Sequence, residues 1–131
     1  MTPATGGRDG LAWHEALSRG EFLLPRCDAC GRFRFPPMPA CPHCGAPGAG
    51  ELVAASGLGS VYSWVVVHIA LDPAFAGEVP YAIVTVDLEE GPRVFARFDG
   101  PIESLAADLP VTRVPGETHE GPILCFAPSS A

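Results

Sequence analysis

The sequence predicts a mainly β chain in which a short N-terminal helix and a four-cysteine zinc ribbon precede a small closed barrel. The first observation behind this is a pair of knuckles, Cys27-Asp28-Ala29-Cys30-Gly31 and Cys41-Pro42-His43-Cys44-Gly45, with ten residues between Cys30 and Cys41. The second is composition. Fifteen glycines and fifteen prolines in 131 residues force short elements and frequent turns, which favours strands over a helical bundle. The third is patterning. Beyond residue 50 the apolar stretches are rich in Val, Ile, Tyr and Phe and are bounded by Gly and Pro.

Taken in order, residues 1–20 read as a small-residue leader followed by a short helix from Gly10 that ends at Gly20. Trp13, Ala16 and Leu17 share one face of it, so that face should dock on apolar neighbours. Residues 21–50 read as the ribbon. Glu21–Arg26 leads into the first knuckle as a strand, and Arg32–Pro37 returns from it with Phe33 and Phe35 over the metal and the arginines outward. Ala46–Gly50 is a small-residue hinge and the predicted boundary.

Residues 51–131 read as the barrel. Glu51–Ser56 is a short first strand or lead-in. Ser60–Ile69 is apolar on both faces and suggests a central strand. After a loop over Ala70–Val79, Pro80–Leu88 alternates, with Ala82, Val84, Val86 and Leu88 on one face. Glu89–Pro92 turns into Arg93–Phe98, and Ile102–Leu109 contains a helical turn. Strands near Val111–Val114 and Ile123–Phe126, joined by a polar loop over Pro115–Gly121, close the chain. This succession suits a five-stranded Greek-key barrel of the OB type, with an SH3-like barrel as the alternative.

The knuckles supply the chemistry. Each glycine after the second cysteine accommodates a left-handed backbone, and two knuckles brought together form a tetrahedral four-thiolate site suited to Zn²⁺. Cys27, Cys30, Cys41 and Cys44 are therefore the expected metal ligands, and Cys125 is left as a small buried residue. Met1–Arg8 lacks the apolar centre of a secretory signal, and no apolar run is long enough to span a bilayer, so a cytoplasmic chain with no membrane association is expected. A reducing compartment disfavours disulfides and so strengthens the metal reading.

All eight basic residues are arginine, which excludes lysine Schiff-base chemistry within this chain. Residues 1–50 carry five Arg and four acids, net +1; residues 51–131 carry three Arg and eleven acids, net −8. An acidic barrel argues against nucleic acid as a ligand, because phosphate neutralisation dominates that affinity. Arg19, Arg26, Arg32 and Arg34 cluster around the first knuckle. They either offset the thiolate charge or form a phosphate-binding patch for a nucleotide-bearing ligand. His14, His43, His68 and His119 are scattered, and no nucleophile stands with a base and an orienting group. A closed four-thiolate site also leaves no open position for substrate, so the chain is not expected to be an enzyme by itself.

One order of motifs points further. Leu24-Pro25-Arg26-Cys27-x-x-Cys30-Gly31, an aromatic–Pro36-Pro37 segment, Cys41-Pro42-x-Cys44-Gly45, Val61-Tyr62-Ser63-Trp64, Pro80-Tyr81 and Leu88-Glu89-Glu90-Gly91-Pro92-Arg93 follow one another. From about Leu11 to Phe126 this resembles the domain-of-unknown-function-35 family, a rubredoxin-like zinc ribbon joined to an OB-fold. The resemblance implies a non-catalytic, acyl-CoA-associated accessory subunit of a thiolase-superfamily enzyme: a thiolase, an acyltransferase, or a thiolase-like aldolase of lipid or steroid side-chain metabolism. It also implies a hotdog-fold enoyl-CoA hydratase as a further partner, a structural zinc, and acyl-CoA as a bound ligand. Arg26, Arg32 and Arg34 are the candidates to hold CoA phosphates. Ala107-Asp108-Leu109-Pro110-Val111 departs from common members, which often read Ile-Gly-Met-Pro-Val; the change is compatible with a turn but bears on any ligand contact that needs the glycine. The other readings are a rubredoxin-like iron electron carrier and an oligonucleotide-binding OB module.

Overall fold

The computed structural model describes residues 7–118 and 121–129. The helix α1 (Gly7–Ser18) begins earlier than the sequence suggests, and the leader before it lies outside the described residues. Two bodies follow. A two-stranded antiparallel sheet pairs β1 (Leu23–Arg26) with β2 (Glu51–Ala54). A closed barrel then runs β3 (Leu58–Val67), β4 (Tyr81–Leu88), β5 (Arg93–Phe98), β7 (Gly121–Pro128) and β6 (Pro110–Thr118). The order, with a parallel β5–β7 pair closing the sheet, is that of the OB barrel the strand pattern predicts.

β4 behaves as its alternation requires: Ala82, Val84, Val86 and Leu88 are buried while the intervening residues face out. Val94, Ala96 and Phe98 of β5 and Leu124 and Phe126 of β7 complete the interior. α1 closes the structure at the junction with the ribbon. Trp13, Ala16 and Leu17 are buried, as their shared face predicts. The Trp13 indole N–H donates to the Leu23 carbonyl at 2.7 Å, and its ring stands edge-on to Phe22 and Phe35. Helix, ribbon and barrel thus share one apolar cluster.

Four local expectations change. Arg32–Pro37 is not a return strand: it makes a single bridge, Arg26 to Phe33, and β1 takes β2 as its partner. Consecutive prolines at 36 and 37 cannot donate to a ladder, whereas Leu52 and Val53 can. The polar loop expected from Pro115 is largely strand, since the β6–β7 register runs on to Thr118 opposite Gly121. Gly116 permits this, because a Cβ there would stand 2.6 Å from that of Cys125. His119 lies outside the described residues. The helical turn expected over Ile102–Leu109 is a single 3-10 turn, Ile102–Ser104.

The fourth change concerns β3, whose apolar faces suggest a buried central strand. Its pairing with β6 covers only Leu58–Ser60. The strand therefore outruns its neighbour, and Tyr62, Trp64 and Val65 are exposed. No helix among the described residues is long and apolar enough to cross a membrane.

Candidate metal centre

The two knuckles fold by the same local bonds. The Gly31 N–H donates to the Cys27 carbonyl and the Gly45 N–H to the Cys41 carbonyl, each at 2.9 Å. Both glycines are left-handed, at φ 76° and 80°. Backbone N–H groups also point at sulfur: Cys30 N–H to Cys27 Sγ and His43 N–H to Cys41 Sγ, both at 3.4 Å. Each turn therefore aims its cysteines before any metal arrives.

Brought together, the four sulfurs lie within 4.8 Å of one another. Cys27 Sγ is 3.7 Å from Cys44 Sγ, and Cys30 Sγ is 3.8 Å from Cys41 Sγ. Ligands about 2.3 Å from a tetrahedral Zn²⁺ stand about 3.8 Å apart, so these spacings suit a four-thiolate site. Cys27 and Cys41 are buried, whereas Cys30 and Cys44 reach the surface. All four predicted metal ligands are thus in one cluster, and Cys125 is buried elsewhere, in β7.

Four crowded thiols do not titrate alike. Burial opposes ionisation of Cys41, but N–H groups of Cys44 and His43 and the sulfurs of Cys27 and Cys30 bring it down to about 6. The Cys30 N–H likewise holds Cys27 below its ordinary value. The Ala46 N–H favours ionisation of Cys44, yet burial and the three neighbouring sulfurs outweigh it and push that thiol up to about 11. A divalent metal held by these four sulfurs would relieve the conflict by neutralising the charge they otherwise share.

The arginines separate into two kinds. Arg26 and Arg32 are exposed, and the Arg26 Nε donates across the first knuckle to the Gly31 carbonyl at 3.2 Å. Arg34 does not face outward as the alternating segment suggests. It is 2% exposed and donates to the carbonyls of Gly48 at 2.7 Å and Met38 at 3.3 Å. The reason is the missing return strand: the chain turns here, and the guanidinium satisfies carbonyls of the loops that hold the second knuckle. Arg34 therefore ties the ribbon together from within.

A cleft of about 520 Å³ lies between ribbon and barrel, where the knuckle motifs and the Glu90-Gly91-Pro92 turn, distant in the chain, come together. Arg32, Phe33, Arg34, Phe35 and His43 line one side, and the β4–β5 turn at Glu90–Pro92 lines the other. The ring Nε2 of His43 is 3.2 Å from the Phe33 carbonyl, so this histidine borders the cleft and is no member of the metal cluster. Glu90 is engaged elsewhere, accepting from the Ser56 N–H at 2.6 Å.

Comparison with known proteins places both halves. Residues 14–48 match the family described as ChsH2, rubredoxin-like zinc ribbon domain, and residues 52–114 match ChsH2, C-terminal OB-fold domain. A probable enoyl-CoA hydratase alpha subunit of Thermomonospora curvata is 42% identical over 71% of this chain and 28% of that protein. A DUF35 domain-containing scaffold protein of Methanocaldococcus jannaschii is 36% identical over 63% of this chain and 58% of its own length. Among solved structures, a chain of "Ltp2-ChsH2(DUF35) aldolase" superposes with a TM-score of 0.81 at 36% identity, covering 93% of this chain and 95% of that one. The chain thus spans less than two thirds of these two curated relatives but nearly all of the solved one. With ribbon and barrel both matched in chain order, the protein belongs to the DUF35 family, in its form of a zinc ribbon followed by an OB-fold.

Proposed function

We propose that this chain is a non-catalytic accessory subunit, a cytoplasmic scaffold that binds and supports a thiolase-superfamily enzyme acting on acyl-CoA substrates. The observation that carries the reading is the likeness, over nearly its whole length, to a chain of an assembly named as an Ltp2-ChsH2 aldolase. The relative named a DUF35 scaffold protein supports the same role. The chemistry of the chain agrees. Four sulfurs within 4.8 Å of one another suit a four-thiolate metal site, which would leave no open coordination position, so the metal would serve as a staple. Zinc is the metal proposed, held by Cys27, Cys30, Cys41 and Cys44. It replaces the core that so short a ribbon cannot build.

The partner's reaction is that of a thiolase, an acyltransferase or a thiolase-like aldolase in lipid or steroid side-chain breakdown. An enoyl-CoA hydratase is the second partner, a reading supported by the relative that bears that name. Arg26 and Arg32, both exposed, are proposed to meet the CoA phosphates, with the cleft beside Phe33 and Phe35 receiving the less polar part of the ligand. Arg34 lines the same cleft but is buried and donates to the Gly48 and Met38 carbonyls, so the phosphate contacts are proposed first for Arg26 and Arg32.

Co-expression of the chain with each thiolase-superfamily protein of its own source, followed by size-exclusion chromatography, tests the reading. A complex of defined stoichiometry with one of them, whose turnover depends on the chain, is the expected result. Failure to associate with any of them would sink it.

A further inference from the structure

The barrel has an unprotected edge. β3 continues past its short pairing with β6, and from Tyr62 to Val67 it has a neighbour only on the β4 side among the described residues. The direction of its peptide groups follows from two bonds. The Leu88 N–H donates to the Pro92 carbonyl on the β5 side, so alternate residues of β4, Val86, Val84 and Ala82, also turn toward β5. Their β3 counterparts, Val61, Trp64 and Val66, therefore face away from β4. Val61 confirms the direction: its N–H donates to the Leu109 carbonyl and its carbonyl accepts from the Asp108 N–H. Trp64 and Val66 present the same groups one and two steps further along, where no backbone among the described residues answers them.

Edges of this kind are normally blunted by lysine, proline or an inward charge. Tyr62-Ser63-Trp64-Val65-Val66-Val67 has none of these, and its bulge, at Tyr62, stands at the first residue of the open stretch and leaves Ser63–Val67 in regular register with β4. The side chains around it are also those of a contact surface. Val65 is 61% exposed, and Phe95, on the same outer face one strand away from Thr85, is 74% exposed. On either side of Phe95 an arginine is stacked on a tyrosine and ion-paired: Arg93 on Tyr62 with Asp87, and Arg97 on Tyr81 with Glu78. Those pairs leave the face electrically balanced within a chain of net charge −7.

The charge selects the occupant. Two copies would bring two chains of −7 together, which opposes self-pairing. A single-stranded nucleic acid would need free cations here, and both guanidiniums are held by carboxylates. What remains complementary is an uncharged, extended protein segment with apolar residues at alternate positions. We infer that the thiolase-superfamily partner adds such a strand to β3, bonding the peptide groups of Trp64 and Val66 and covering Val65. This rests on the proposed function and specifies how the partner is held.

The test compares two variants in binding to the partner identified by co-expression. Val66→Pro removes an N–H that faces the open edge and is not used by β4; Val65→Lys adds an edge charge on an exposed face. Zinc content and melting temperature accompany each, and Val65→Lys carries the test if Val66→Pro fails to fold. Both are expected to weaken the partner at least tenfold at unchanged zinc content, and the Trp64 and Val66 amides of the wild type to gain exchange protection on binding. Partner affinity equal to wild type in a folded variant overturns the inference and leaves the scaffold reading intact. A wild-type chain that binds no such enzyme overturns both. Edge-dependent dimerisation of the chain alone, or salt-sensitive single-stranded DNA binding lost in these variants, assigns the edge to another occupant and overturns it as well.

Discussion

Phe22, just before β1, stands edge-on to Phe126 of β7, with ring centroids 6.2 Å apart at 86°. Through this pair the ribbon and barrel meet directly, and Trp13 of the helix also stands edge-on to Phe22. The metal site is therefore anchored to the barrel by aromatic packing and by no covalent link beyond the chain itself. Phe126→Ala is expected to cost about 4 kcal/mol of stability, the usual range for emptying a buried aromatic site. Phe22→Ala should cost less than the sum when combined with it, because the two rings share one contact. Urea unfolding of both single variants and the double variant measures this.

Removing the metal should loosen the ribbon and leave the barrel's strand signal largely in place. A colourless protein with one zinc per chain is expected by metal analysis; visible absorption would indicate iron and revive the electron-carrier reading. Chelator treatment should change the fluorescence of Trp13, which packs on Phe35 of the ribbon.

The chelated protein should show a two-sided pH dependence. Cys41 titrates near 6 in the fold against an ordinary 9, so its contribution is present above pH 9 and is lost as pH falls through 6. Cys44 and Cys125, both raised to about 11, contribute below pH 9 and lose that contribution as pH rises through 11. Thermal melts of the metal-free chain from pH 5 to 11 should rise and then fall, and Cys41→Ser should flatten the acid limb.

Arg34 and its exposed neighbours should behave in opposite ways. Arg34→Ala leaves the carbonyls of Gly48 and Met38 without their donor, and a lost charged hydrogen bond of this kind costs about 2 kcal/mol. Faster zinc release to a chelator is the readout. Arg26→Ala and Arg32→Ala should keep their zinc while binding CoA more weakly by calorimetry. Zinc loss in those two variants would assign them to the metal site instead.

Asp108 occupies a left-handed conformation at φ 66°, and its N–H and the next carbonyl hold Val61. Aspartate tolerates that region better than most residues but still at a cost. Asp108→Gly should therefore be neutral or stabilise by up to about 1 kcal/mol. The thermal midpoint of the variant checks this. The left-handed backbone there also suits the glycine that the resembling chains often carry, since glycine adopts it without the cost of a Cβ.

What could be read from the sequence was what local geometry decides. A Cys-x-x-Cys-Gly turn closes on its own bonds, so the four cysteines that cluster were identifiable from spacing, and the alternation of β4 declared its buried face because adjacent residues of any strand point oppositely. The Trp13–Leu17 face was legible for the same reason, one helical turn placing those side chains together. Tertiary structure alone decided which strand pairs with β1, where Arg34 points and how much of β3 is covered. Each depends on a neighbour distant in the chain. β2 displaces the expected return strand, Arg34 turns inward to carbonyls at 38 and 48, and β6 ends its pairing before the apolar half of β3 begins. An apolar run is the same string of residues whether it lies under a neighbouring strand or waits for one, and only the placement of that neighbour distinguishes a core from an interface.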